Sequence, residues 1–554
     1  MKVLIRLVCG VALLLALLTS GNILQAQARS DFEVAKNLEI FVNLYRELNK
    51  NYSEELNHGK LFEAAINAML GELDPYTNFI SEAQIEEFRF LATGQYGGIG
   101  AVIRQRDNFV IISEPYEGSP AHNAGLKAGD KILEVNGNSA LNRTTNEVSM
   151  VLRGQPGTTL KLKVERENTE KPLEFTIRRE NVKIPDIPYS TMLENEIAYI
   201  NLAGFTHASA QEVIRKFNEL RQKSELKGLI LDLRGNGGGL LNEAVDIVGM
   251  FVPKNEYVVG TRGKLPASNQ NHFTRNQPVD TEIPLVILVD NHSASASEIV
   301  AGAIQDLDRG VIIGQTTLGK GLVQNVIPLV YNTHLKVTTA KYLIPSGRSI
   351  QAIDHFHRDE NNAYIVTPDS LKTAFRTRNG RTVYEANGIE PDITIEPPQL
   401  SNIAGALYLN FMIFDFANRF AVLNSEIPPA DEFIITEEIY ADFKDFVKQQ
   451  DFTYTTRTET LLNQLKEAAY EELYKPLLLD DIRQLENSIS QQKKKEIITF
   501  ADEIKELLRM EIVTRYYYQR GRIVASLKND KAFGEAIELL RDNDRYRAML
   551  QGND

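Results

Sequence analysis

The run Leu285-Val286-Ile287-Leu288-Val289-Asp290-Asn291-His292-Ser293-Ala294-Ser295-Ala296-Ser297-Glu298 decides how the chain folds. Its first part is a continuous apolar strand, and beyond it Ile299, Val300, Ala303, Ile304 and Leu307 mark one face of a helix. Ser295 is therefore delivered at a strand-to-helix turn, where free N–H groups and the positive end of the helix dipole can stabilise an oxyanion. The same residues fit a plainer pattern, because Ser295-Ala296-Ser297-Glu298 has the spacing of a helix capping box, which needs no catalysis. On its own the segment leaves both readings open.

Strands and helices alternate on either side of this run, from Ile184 to about Pro398. Strands Ala198–Leu202, Gly228–Leu233 and Val311–Gly314 interleave with helices Ala210–Gln222, Leu240–Val252 and Ala296–Leu307, which predicts a mainly parallel, fully covered α/β layer. The part with Leu322–Leu329 and Thr333–Leu343 is richer in strands. Asp232-Leu233-Arg234-Gly235-Asn236-Gly237-Gly238-Gly239 follows a buried strand, so its backbone can approach a substrate and present N–H donors. A phosphate loop would need a lysine after the last glycine, where Leu240 stands. Gly319-Lys320-Gly321 gives Lys320 the backbone freedom to turn inward, although a lone loop lysine is usually solvated. His292 lies three residues before Ser295, and a histidine base stays open because triads are recognised by geometry. His355 and His357, with Asp354 and Asp359, read as a polar surface loop and not as a metal centre.

From Asp31 to about Leu91, Val34, Leu38, Phe41, Val42, Tyr45 and Leu48 follow helical spacing, which Leu73-Asp74-Pro75-Tyr76 interrupts. Next come Gly97-Gly98-Ile99-Gly100, Gly118-Ser119-Pro120-Ala121, a strand ending at the turn Asn136-Gly137, a helix around Asn146–Leu152 and strands Thr159–Arg166 and Leu173–Arg179. In this order the motifs resemble a PDZ domain, whose glycine-rich loop turns backbone N–H groups toward a peptide's terminal carboxylate while a strand edge pairs with the peptide backbone. Beyond Pro398 the sequence is helical and charged, and Arg515-Tyr516-Tyr517-Tyr518-Gln519-Arg520 reads as packing.

A chain of 554 residues exceeds one core and suggests about three or four units. Its 43% apolar and 24% charged residues are the balance of a folded soluble protein, and a net charge of -13 disfavours a nucleic-acid partner. Lys2 and Arg6, the apolar run Leu7–Leu18 and Ala26-Gln27-Ala28 are the three parts of a secretory signal peptide, with an uncleaved anchor as the alternative. The run falls short of the roughly 20 residues of a membrane span. Cleavage after Ala28 removes Cys9, the single cysteine, and leaves neither disulfides nor a thiol nucleophile.

Asp232 to Gly239, Ser293 to Glu298 and Gly319 to Gln324, downstream of a PDZ-like unit, resemble the carboxyl-terminal processing (tail-specific) proteases, and the likeness runs from about Asn37 to Pro398. It implies a multidomain α/β (α+β) chain with a crotonase/ClpP-like protease core, an inserted PDZ domain and helical N- and C-terminal regions. The expected boundaries are a signal peptide at 1–28, a helical domain at 31–92, the PDZ domain at 96–180, the core at 182–398 with an insertion at about 352–387, and a helical domain at 400–554. The resemblance makes Ser295 the nucleophile, Lys320 the general base and Gln324 the residue that orients the lysine. It assigns the oxyanion hole to Gly237, Gly238 and Ala296, a supporting role to Asp306, and peptide binding to Gly97, Gly98, Ile99, Gly100 and Arg153. It implies no cofactor and no metal. It points to protein substrates with accessible C-terminal tails, a homodimer, a lipoprotein or other adaptor, and a periplasmic or otherwise exported location. The insertion and the helical tail are departures expected to leave the dyad untouched. A lysine base must be desolvated, because at a pKa near 10.4 only about one in 2500 is neutral at pH 7, and Leu318, Leu322 and Val323 are the expected apolar neighbours. A proteolytically silent PDZ scaffold or chaperone and an acyl-thioester enzyme are the competing readings.

Overall fold

The computed structural model describes residues 31–85, 90, 93–167, 169–358, 364–366, 368, 370, 372–472 and 475–552, so the signal peptide at 1–28, Cys9 and Asp359 lie outside the described residues. The chain divides into two compact units, Met1–Leu73 and Asp74–Asp554. In the first, α1 (31–51) precedes α2 (His58–Gly71), which starts where the Asn57 side chain accepts the Lys60 N–H. The Tyr45 hydroxyl meets His58 Nδ1 at 2.9 Å.

The interruption expected at Leu73-Asp74-Pro75-Tyr76 is present: α2 ends at Gly71, and the second unit begins at Asp74. Asp74 is the cause. Its Oδ1 accepts the N–H groups of Tyr76 and Thr77 and its Oδ2 accepts the Thr77 hydroxyl, a turn that proline at 75 already favours. The strand β1 (Asn78–Ile80) follows.

The PDZ-like unit runs through β2 (Gln95–Gly98), β3 (Ala101–Arg106), β4 (Phe109–Pro115), α3 (Pro120–Asn123), β5 (Lys131–Val135), β6 (Asn138–Ser139), α4 (Thr145–Leu152), β7 (Thr159–Glu165), β8 (Leu173–Arg178) and β9 (Glu180–Lys183). Its antiparallel sheet has the order β3-β4-β5-β7-β8, with β6 on β5, while β2 and β9 pair where the chain enters and leaves. Asn136 and Gly137, both at positive φ, make the tight turn between β5 and β6 that the sequence signals. The edge strand β3 lies beside α4.

The core adds β10 (Tyr189–Met192), β11 (Ile197–Asn201), α5 (Ser209–Arg221), β12 (Gly228–Asp232), α6 (Leu241–Val248), β13 (Tyr257–Gly263), β14 (Gln270–Phe273), β15 (Leu285–Val289), α7 (Ala296–Asp306), β16 (Val311–Gly314), β17 (Leu322–Pro328) and β18 (His334–Leu343). Two hairpins, β19 (Ile353–Arg358) with β20 (Tyr364–Val366) and β21 (Ala374–Arg376) with β22 (Thr382–Tyr384), occupy the insertion ahead of β23 (Ile393–Thr394). One sheet has the order β10-β11-β12-β15-β16-β23 and is parallel apart from β10, and the other has the order β1-β18-β13-β14 with β17 on β18. Asp232 lies opposite Leu288 and Val289 opposite Gly314, so the loops after β12, β15 and β16 leave from one edge. The carboxyl edge of parallel strands is where such folds build their sites.

The C-terminal helices are α8 (Asn402–Leu409), α9 (Met412–Leu423), α10 (Glu437–Gln449), α11 (Arg457–Glu471), α12 (Lys475–Thr499), α13 (Ala501–Leu527), α14 (Lys531–Arg541) and α15 (Asn543–Gln551). They brace the PDZ-like unit through a bidentate Arg106–Asp415 pair (2.7 and 2.6 Å), Arg522 on Glu114 (2.9 Å) and Tyr518 against His122 (2.8 Å). Tyr516 and Tyr517 donate to the carbonyls of Asn424 and Ile427, the packing role expected for the tyrosine run. The last two helices go further than a separate tail. While α5, α6 and α7 cover one face of the parallel sheet, Phe533, Ala536, Leu539 and Leu540 of α14 cover the other, packing against Ile230, Val286 and Leu288. Truncating Phe533, which meets the Tyr199 ring edge-on at 5.4 Å, should lower core stability by about 3 kcal/mol. Urea unfolding of Phe533→Ala checks this, and an unchanged midpoint would show that α14 is not part of the core.

Candidate active site

Three loops meet at the carboxyl edge of the parallel sheet. The first carries Ser295 at the N-cap of α7, with φ 56 and ψ -110. N-cap residues ordinarily hold β-region dihedrals, and positive φ is normally left to glycine, so a serine here is strained. The flanking serines explain what holds it. Ser293 Oγ donates to the Leu233 carbonyl (2.9 Å) and Ser297 Oγ to the Asn236 carbonyl (2.8 Å), fastening the turn to the glycine loop on both sides. Ser295 lies beside the Tyr342 phenol, which burial pushes up to about 12. The phenol is therefore neutral at pH 7.

The second loop follows β12. Gly238 has φ 99, and a Cβ there would stand 2.8 Å from Ser295 Cβ and 2.9 Å from the Ala296 nitrogen. Glycine is required by contact with the Ser295 turn. The Gly238 N–H donates to Asn236 Oδ1 (2.9 Å) and so is not free for an oxyanion, unlike the sequence expectation. Among the described residues the N–H groups of Gly237 and Ala296 meet no acceptor, which leaves these two as available donors.

The third loop carries Lys320. A Cβ on Gly319 would stand 2.3 Å from Ala352 Cβ, and one on Gly321 2.7 Å from the Gln351 nitrogen, so both glycines admit the segment that leads into β19. The Gly319 carbonyl accepts the Ala352 N–H, so the insertion reaches the lysine loop, contrary to the expectation that it stands apart. The Lys320 ammonium lies 4.7 Å from the centroid of the Tyr76 ring, which His355 meets edge-on at 5.5 Å. Burial, and next the nearby Lys336, push the Lys320 pKa down, while Glu298 opposes them. Of the expected apolar neighbours, Leu322 is buried but Leu318 is exposed. His355 is buried, not on a surface loop, because the Tyr76 ring covers it. His292 is three-quarters exposed and turned toward Asp290, away from any role as base.

One residue read from the sequence only as a helix cap joins the first and third loops. Glu298 is fully buried; its Oε2 accepts the N–H groups of Ser295 (2.7 Å) and Lys320 (2.9 Å), and its Oε1 accepts the Thr317 hydroxyl (2.6 Å) and the Gly319 N–H (2.7 Å). Burial raises its pKa and these four donors oppose the rise. The spacing Ser295 to Glu298 was the available signal; its second partner, Thr317, was not visible in a linear reading.

Other predicted residues fall elsewhere. No hydrogen bond joins Ser295 to Lys320 among the described residues, and Gln324 donates to the Leu322 carbonyl and to Thr338. Asp306 ends α7, about 16 Å along the helix from Ser295, and pairs with buried Arg348 (2.9 Å). It holds the Ser346–Arg348 turn. In the PDZ-like unit, Gly97 and Gly98 end β2 and Ile99 and Gly100 continue it toward β3. Arg153 packs over the rings of Tyr96 (5.2 Å) and Phe90 (6.0 Å).

Residues 196–359 match Peptidase family S41, residues 111–166 the PDZ domain family, and residues 403–540 the family described as probable PDZ-protease, C-terminal helical domain. The carboxy-terminal-processing protease of Bartonella bacilliformis is 35% identical over 342 residues, covering 61% of this chain and 78% of the relative. The carboxy-terminal processing protease CtpB of Bacillus subtilis is 31% identical over 59% of this chain and 68% of its own length. The solved photosystem II D1 C-terminal processing protease is 26% identical, with a TM-score of 0.37 over 64% of this chain and 87% of that one. The core is that of a serine-type peptidase joined to a PDZ domain. The chain belongs to the carboxy-terminal-processing proteases of peptidase family S41.

The two glycines predict opposite results. Gly238→Ala should lower kcat by about a hundredfold or more because its Cβ displaces the Ser295 turn, whereas Gly237→Ala, with nothing within 4 Å of its Cβ, should stay within about threefold of wild type. Steady-state cleavage of a peptide substrate by both variants measures it; equal activities would contradict the packing.

Proposed function

We propose that this peptidase is exported and cuts proteins presented by their C-terminal tails, with Ser295 as nucleophile and Lys320 as general base. The observation that carries the dyad is the shared acceptor: one Glu298 oxygen takes the backbone N–H of both residues, which keeps their loops together. Support for the base comes from burial and from Lys336, both of which favour the neutral amine. The ammonium must first give up a proton to solvent and leave the Tyr76 face, a change of side-chain torsions on a loop whose backbone is held. The neutral amine then removes the Ser295 proton as Oγ attacks the scissile carbonyl, and the N–H groups of Gly237 and Ala296 receive the oxyanion. Collapse releases the amine with that proton and leaves an acyl-enzyme, which water opens by the same base. The tail would lie along β3 beside α4, its carboxylate at the Gly98–Gly100 amides. The exposed apolar residues Val34, Leu38 and Phe41 of α1 support a homodimer.

Ser295→Ala and Lys320→Ala should each lower kcat/KM by about a thousandfold or more, and Lys320→Arg should not restore it, because a guanidinium stays protonated. Since the base acts when neutral, kcat/KM should rise with pH through a midpoint below the ordinary lysine value. Full cleavage by Lys320→Ala, or a limb at the ordinary value, would overturn the assignment. Export predicts that protein recovered from producing cells lacks its first 28 residues by mass, whereas retention of Met1 would contradict cleavage after Ala28.

A further inference from the structure

We infer that Asp530, in the C-terminal helical region, is a positioning residue for hydrolysis that anchors the glycine loop through Arg234. The inference rests on the reading above, in which that loop supplies an oxyanion donor.

The loop from Gly235 to Gly239 holds four glycines and has little stiffness of its own. Its geometry must come from anchors. Gly235 N–H donates to Asp290 Oδ1 (3.0 Å) and the Asn236 side chain to the Leu202 carbonyl (2.7 Å). The Ser293 and Ser297 hydroxyls hold the Leu233 and Asn236 carbonyls, and a further anchor is Arg234, next to the loop. Its Nε and Nη2 bind Asp232 at 2.9 and 2.7 Å, and its Nη1 binds Asp530. Asp232 ends β12, so this pair ties Arg234 to the strand that leads into the loop. Asp530 is external. Its other oxygen accepts the Phe533 N–H (3.1 Å) and caps α14, whose apolar face is packed on the parallel sheet. Arg234 is thus tied to a rigid layer that the loop does not belong to. Asp232 is itself held by the Tyr199 hydroxyl (2.8 Å), and the Asp530 carboxylate is mostly buried, so water competes weakly for the pair. With the Asp530 tie removed, the guanidinium keeps only its fork on Asp232 and loses its link to α14, and the Gly237 N–H is less firmly directed toward the reacting carbonyl.

Asp530→Asn keeps an oxygen that caps α14 and removes the charge that holds Arg234. Its kcat for a peptide substrate should fall about ten- to a hundredfold, less than deletion of an oxyanion donor, with KM and the urea midpoint unchanged. Asp530→Ala should show the same fall in kcat together with a lower midpoint. Wild-type kcat in Asp530→Asn, or a loss seen only in Asp530→Ala and tracking its midpoint, overturns the inference. Ser295→Ala measured in parallel separates the two levels. If it is inactive while Asp530→Asn matches wild type, only the positioning role falls; if it still cleaves, the nucleophile assignment falls and this inference with it.

Discussion

A carboxylate with no access to water must find donors or not be charged, and Glu298 finds four, two on each oxygen. Hydrogen bonds to a charged group are worth about 1.5–3 kcal/mol each, and a buried donor left without its partner costs a comparable amount. The four donors come from two loops that follow different strands of the sheet. Burying this side chain therefore sets the spacing of the Ser295 turn and the Lys320 loop together, and the positive φ of Ser295 is sustained by that network with the Ser293 and Ser297 anchors.

The sheet supplies the edge from which these loops leave, and the sheet is complete only because the C-terminal helices return to it. α14 and α15 pack on the face opposite α5, α6 and α7, and the Tyr546 hydroxyl accepts the Leu285 N–H at the start of the strand that leads to Ser295. The same region braces the PDZ domain through Asp415, Tyr518 and Arg522. Tyr518 does so from a non-helical position inside α13, with φ 52 and ψ -154. Peptide recognition and chemistry thus share one scaffold.

Much of this was legible in the sequence where the signal is local. The strand-to-helix run at 285–307, the Asn136-Gly137 turn and the order of the PDZ elements each follow from apolar periodicity or turn chemistry among neighbouring residues, and the structure repeats them within a residue or two. What was not legible depends on contacts between distant segments. Nothing in the linear pattern brings Tyr76 over Lys320, buries His355 beneath that ring, or turns the Gly238 N–H toward Asn236. Asp306 shows the converse. Its place on α7 is fixed by sequence, yet eleven helical residues carry it away from Ser295 and into a pair with Arg348.

The central claim is that the clamped loops bring an uncharged Lys320 amine to the Ser295 hydroxyl when substrate is in place. A crystal structure with a substrate-like peptide in the site, solved with the wild-type dyad, tests it most directly. The account predicts Lys320 Nζ off the Tyr76 ring and about 3 Å from Ser295 Oγ, with Glu298 still holding both backbones. Lys320 remaining on Tyr76 while another side chain contacts the serine would contradict it.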